Sequence, residues 1–89
     1  MKILIWEAYG EVDVFDISTP EKSLAVINDI IACLEHWGFD NTIARCEKMI
    51  DEDGDNMKTL YRVISILTNA IQPHCSIDSF ERLYITELK

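Results

Sequence analysis

The sequence contains little of what most catalytic or cofactor-binding sites require. Its three glycines lie far apart, so no glycine-rich phosphate-binding loop is present. Its histidines and cysteines match no compact zinc-binding spacing, although Cys33 and His36 are three residues apart and His74 adjoins Cys75. No nucleophile, base and orienting group can be assigned together. We therefore expect no enzymatic activity, no cofactor and no metal site.

Basic residues are also scarce. The chain has 8 lysines and arginines against 16 acidic residues, which gives a formal net charge of −8. A surface of this sign disfavours direct binding to nucleic acid or to an anionic membrane, because both attract cationic proteins. The charge instead favours a protein partner with a basic surface.

Long apolar runs are likewise missing from the sequence, and its first residues predict no signal peptide. Lys2 is followed by four apolar residues and then by Glu7, which is too short for a signal peptide. Three cysteines, Cys33, Cys46 and Cys75, cannot all pair within one chain. We expect a cytoplasmic protein with reduced thiols, forming a single domain over residues 1–89.

The clearest pattern is a helix within Asp55–Ile71. Apolar residues recur there at steps of three and four, and Leu60, Ile64 and Leu67 are predicted core residues. Asp55 is the predicted N-cap, and Pro73 ends the run.

Two further helices are predicted before it. Thr19 and Pro20 begin the first, Gly38 caps its C-terminus, and Trp37 is expected to close the core. The second begins with a cap within Asp40–Thr42 and extends to about Asp51.

The N-terminal residues 1–17 read as a β-hairpin that turns near Tyr9 and Gly10. A change of apolar phase between Val14 and Phe15 predicts a bulge. Residues 80–89 fit a strand or a helix, and we favour a strand because a hairpin needs a third strand for stability. The predicted order is β-β-α-α-α-β, an α+β fold with the helices on one face of a small antiparallel sheet.

An acidic segment precedes the central helix. It fails as an EF-hand loop that starts at Asp51, because Gly54 falls at position 4 and Arg62 at position 12. The segment is either a solvated turn whose carboxylates interact favourably with the N-terminal end of the next helix, or a contact surface for a basic protein. The candidate partner-binding residues are Asp51, Glu52, Asp53, Asp55, Tyr9 and Glu11, and further acids that could contribute are Glu7, Asp13, Asp40 and Glu47.

In size, acidity and lack of catalytic groups, the chain resembles small phage-encoded anti-defence proteins such as anti-CRISPR inhibitors. The resemblance covers no motif, so it transfers no residue role. It implies an inhibitor in the host cytoplasm that mimics nucleic acid and occludes the nucleic-acid-binding surface of a partner. A nuclease immunity protein or an antitoxin would act by similar physics.

A homo-oligomeric structural or accessory domain is the alternative. Tyr61, Ile66 and Ala70 widen the apolar surface of the central helix, and a small sheet has edges through which two chains can pair into a homodimer. In that case the acidity serves solubility.

Overall fold

A computed structural model describes residues 1–8, 10–71 and 82–87. The elements follow the predicted order: β1 (Lys2–Ala8), β2 (Glu11–Asp16), α1 (Pro20–Glu35), α2 (Asp40–Asp53), α3 (Met57–Ile71) and β3 (Arg82–Glu87). The α+β class and the C-terminal strand are therefore confirmed.

The three strands form one antiparallel sheet in the order β2-β1-β3. The central strand places Leu4 opposite Phe15 on one side and opposite Ile85 on the other. Ala8 pairs with Glu11, so the hairpin closes over two residues, as predicted. Gly10 has a φ of +81°, a conformation that glycine adopts without strain, and Tyr9 lies outside the described residues.

The predicted bulge in β2 is wrong. The pairing with β1 is continuous from Ile3 opposite Asp16 to Ala8 opposite Glu11. The change of phase arises because both faces of β2 carry apolar side chains, with Phe15 on one face and Val14 on the other.

The two faces of the sheet differ in how far they are buried. The inner face contacts the helices: Leu4 is fully buried, and Trp6, Phe15 and Ile85 pack against the core. Successive side chains alternate across a sheet, so Val12 and Val14 lie on the outer face. They are 58% and 57% exposed, which shows that the outer face is only partly covered.

Helix α1 begins as predicted. The Thr19 hydroxyl accepts a hydrogen bond from the Lys22 amide at 3.3 Å, and Pro20 is the first helical residue. The buried Ser23 hydroxyl donates to the Ile17 carbonyl at 2.8 Å and fastens the helix to the end of the hairpin.

The C-terminus of α1 departs from expectation. The helix ends at Glu35 with His36 as its cap, and Gly38, with a φ of +79°, lies beyond that cap. The prediction that Trp37 closes the core is wrong, since its side chain is 50% exposed. Trp37 follows the last helical turn and therefore leaves the apolar stripe of the helix.

Helix α2 begins without the predicted polar cap. Phe39 is its N-cap and makes no side-chain capping bond, so the expected cap within Asp40–Thr42 is wrong. Phe39 packs partly against the core, and this packing replaces a polar cap in fixing the first turn. The apolar side is confirmed by the burial of Ile43 and Cys46, and burial raises the pKa of the Cys46 thiol.

Helix α3 forms the centre of the core, as predicted. Leu60, Ile64 and Leu67 are inaccessible to solvent. The N-cap is Asn56 rather than Asp55, because the Asn56 side-chain oxygen accepts from the Lys58 amide at 3.0 Å. Pro73 lies outside the described residues.

The wider apolar surface of α3 lies largely against the rest of the protein. Tyr61 and Ile66 pack against the core, and Ala70 is half-buried. The Lys2 ammonium lies 4.5 Å from the centroid of the Tyr61 ring, within the range of a cation–π contact. The pKa of Tyr61 is raised, chiefly by burial and further by the charges of Glu87 and Asp16.

The connection from β2 to α1 is fixed by Asp16. Its carboxylate accepts hydrogen bonds from the Ser18 amide at 2.9 Å and from the Lys22 ammonium at 2.7 Å. The Lys22 and Ser18 bonds hold the pKa of Asp16 well below its usual range, so this carboxylate stays ionised at an acidity that protonates an ordinary aspartate.

Candidate functional site

Four predicted partner-binding residues lie together where α2 gives way to α3. They follow one another at the end of one helix and in the short turn before the next, and all are exposed: Asp51, Glu52, Asp53 and Asp55. We call these residues the acidic turn.

The acids of this turn do not have equivalent roles. Asp53 accepts hydrogen bonds from the Asn56 side-chain amide at 3.1 Å and from the Thr59 hydroxyl at 2.8 Å, so it holds the start of α3 in place. Glu52 lies 3.9 Å from the Lys48 ammonium, but both side chains are well exposed and such a pair contributes little. Asp51 and Asp55 are therefore the best positioned to contact a partner.

The turn is closed tightly at Gly54, the C-cap of α2. A Cβ atom at this position would lie 2.5 Å from the carbonyl oxygen of Ile50, well inside van der Waals contact. The close approach of the backbone to the last turn of α2 sets the direction in which the chain leaves that helix.

A groove lies beside the acidic turn, between α1 and α2. Both helices pack against α3 and contact each other less extensively, which leaves space between them. One part of the groove has a volume of about 440 Å³ and contains Leu24, Ile31 and Ile50 among its lining residues. A second part, of about 350 Å³, shares Leu24, Ile50 and Asp51 with the first and continues along the acidic turn. We call the two parts together the α1–α2 groove.

The charged side chains of the α1–α2 groove have one sign. Among the described residues that line it, every charged residue is acidic: Glu35, Glu47, Asp51, Glu52, Asp53 and Asp55. Their fields add, and the low-dielectric wall beside them strengthens the attraction for a cationic group. The groove therefore combines a few partly accessible apolar side chains with a negative potential.

The sequence reasoning identified the acidic turn and missed the groove. Leu24, Ile31 and Glu35 recur at helical spacing, so an apolar stripe ending in an acid was visible on α1. Nothing in that stripe indicates that Leu24 is left partly accessible, because its exposure depends on where α2 lies.

The remaining candidates lie elsewhere. Glu11 is exposed in β2 and does not line the groove, and Tyr9 is outside the described residues. Of the additional acids, Glu47 lines the groove, whereas Asp13 and Asp40 are exposed away from it. Glu7 accepts a long hydrogen bond of 3.4 Å from the Tyr84 hydroxyl.

Cys33 is exposed on α1 and Cys46 is buried in α2, while His74 and Cys75 lie outside the described residues. Within residues 1–8, 10–71 and 82–87, no three histidine, cysteine or acidic side chains are grouped so that they could hold a metal ion. No helix in the described part of the chain has the length and hydropathy needed to cross a membrane.

Comparison of the chain with protein-family models, with curated proteins and with solved structures finds no match. A function for this protein must therefore be argued from its own residues.

Proposed function

We propose that the protein is an inhibitor that binds a basic surface of another protein and blocks the access of nucleic acid to that surface. The observation that carries the proposal is the position of the acidic turn at one end of a groove in which the side chains of Leu24 and Ile50 are partly accessible.

Carboxylates can take the place of phosphates in such a complex. Lysine and arginine side chains that bind a nucleic-acid backbone form equally good charge-assisted hydrogen bonds with aspartate and glutamate. The formal net charge of −8 also attracts a basic partner over a distance of about 8 Å, the screening length at physiological salt. Long-range attraction of this kind raises the rate of association more than the final affinity.

The half-buried side chains of Leu24 and Ile50 add a contribution of a different kind. Apolar contact is far less sensitive to salt than attraction between exposed charges. A partner that contacts both the acidic turn and the groove is therefore held at salt concentrations that would release a purely electrostatic complex. Inhibition follows because this protein and the nucleic acid compete for the same basic surface.

The test is a double charge reversal, Asp51→Lys with Asp55→Lys, which leaves the structural Asp53 in place. Partners are captured on the immobilised wild-type protein at low salt, and each is then assayed for release of its labelled nucleic acid. We expect the variant to bind at least about tenfold more weakly, because two attractions become repulsions. We also expect a shallower dependence of affinity on salt.

The matched control is Glu21→Lys with Asp29→Lys, which makes the same change of net charge at exposed positions outside the groove. The control should keep most of the affinity. Equal binding by the wild type and by the Asp51→Lys, Asp55→Lys variant would refute the proposal, and so would captured partners that never release nucleic acid.

As a second candidate we propose a homodimer that forms through the outer face of the sheet. Val12 and Val14 are more than half exposed there, on a strand at the edge of the sheet. Light scattering at micromolar concentration should then show a dimer, and the near-isosteric changes Val12→Thr and Val14→Thr should weaken it by removing apolar contact. A wild-type protein that remains monomeric at about 100 μM, well above the micromolar range of specific complexes, would exclude this candidate.

A further inference from the structure

We infer that the α1–α2 groove is the docking site for one amphipathic, basic α-helix of the partner protein. The inference rests on the proposed function and specifies the chemistry of the partner at the same site. It adds a shape and a sequence pattern to what the acidic turn alone requires, which is only positive charge.

The walls of the groove are suited to a helix. On α1 the lining residues Leu24, Ile31 and Glu35 follow one another at steps of seven and four, which forms a ridge along one side. On α2, Ile50 and Asp51 follow Glu47 by three and four residues, so the three side chains form a shorter facing ridge of about one turn. Two such ridges hold the side chains of a third helix between them, as helices commonly pack.

The length of the groove limits the size of the segment that it can hold. Leu24 and Glu35 both line it, and eleven helical steps span about 16 Å. A partner helix of about three turns therefore fills it.

The distribution of charge determines the sequence pattern of that helix. The partly accessible side chains of Leu24 and Ile50 offer apolar contact within the groove, with the largely buried Ile31 beneath them, so the partner needs apolar residues at steps of three and four. Glu35 and Glu47 lie among the residues of one part, and the acidic turn lines the other part. Lysine or arginine on both sides of the apolar stripe would place positive charge against these acids, whereas an acidic helix would be repelled.

Ala32 provides a way to test the groove without changing its charge. It lines the groove and is exposed, so a larger side chain there occupies the space without disturbing the core. The variant Ala32→Trp is thus expected to fold normally and to obstruct a docked helix. Asn28→Trp, at another exposed lining position, is a second variant of the same kind.

The probe is a fluorescein-labelled synthetic peptide of about fourteen residues, with leucines on one helical face and lysines and arginines beside them. Binding to the full chain is measured by fluorescence anisotropy, and helix formation in the bound peptide by circular dichroism. We expect Ala32→Trp and Asn28→Trp each to weaken binding at least tenfold. Ser65→Trp, which places the same side chain at an exposed position of α3 outside the groove, should leave binding unchanged.

A scrambled peptide of the same composition separates this inference from the proposed function. Weaker binding of the scrambled peptide, together with the effect of Ala32→Trp, would support helix docking. Equal binding of both peptides, or no effect of either tryptophan variant, would overturn it, as would a wild-type protein that does not bind the ordered peptide. In those cases the proposed function is still decided separately, by the charge reversal at Asp51 and Asp55 with the captured partner.

Discussion

Replacing Ile64 by alanine is expected to lower the free energy of unfolding by about 2–5 kcal/mol. The side chain is inaccessible to solvent and belongs to the core formed by α3 with the other helices and the sheet. Truncation removes buried apolar surface and leaves a cavity that the surrounding helices can only partly fill.

The loss should be large relative to the whole stability of the protein. A chain of 89 residues has a thin core, and domains in general are stable by only about 5–15 kcal/mol. Urea unfolding followed by circular dichroism measures the change. Ile66→Ala is the control, because Ile66 lies on the same helix and is only partly buried, so its loss should be smaller. A cost at Ile64 below that at Ile66 would contradict the assignment of Ile64 to the centre of the core.

Replacing Gly54 by alanine is expected to cost about 1–3 kcal/mol, the usual cost of forcing extra volume into a packed site. The backbone of Gly54 has a φ of −68°, which alanine adopts readily, so the cost arises from contact and not from torsion. The new methyl group would lie 2.5 Å from the Ile50 carbonyl oxygen, which belongs to the backbone of α2 and cannot rotate away.

The relief of this contact must move the chain on one side of Gly54, and Asp55 would move with it. We therefore expect Gly54→Ala to lower both the midpoint of thermal unfolding and the affinity for a basic partner. Gly38→Ala is an informative comparison, because a Cβ there meets open space and the cost comes from its φ of +79°, which is about 1–2 kcal/mol. That variant lies outside the acidic turn and should leave binding unchanged. An unaltered melting midpoint for Gly54→Ala would contradict the predicted clash.

Local sequence patterns determined most of the helical part of the fold. The apolar repeat through Leu60, Ile64 and Leu67 identified α3 and its buried face, because a helix that is apolar along one stripe must bury that stripe. Thr19 and Pro20 located the start of α1 for a similarly local reason, since a side-chain cap and a fixed φ act within one turn.

Assigning the last element, β3, as a strand required an argument about the whole fold. Its periodicity fits a helix or a strand, and the pairing of β3 with β1, which places Ile85 opposite Leu4, decides for the strand. The continuous register of β2, in place of a bulge, is likewise a property of its pairing with β1. The pairing between strands settled both points, and the apolar pattern of a single strand does not contain it.

The acidic turn could be found from the sequence alone, because its four acids fall within five residues and the turn between two helices is exposed. The groove beside it was decided by the tertiary structure. Leu24 and Ile50 are separated by the rest of α1, the connecting loop and most of α2, and their shared surface depends on how both helices pack on α3. Composition and spacing therefore fixed the sign of the charge and the identity of the core helix, whereas the separation of α1 from α2 created the accessible apolar surface that the charges surround.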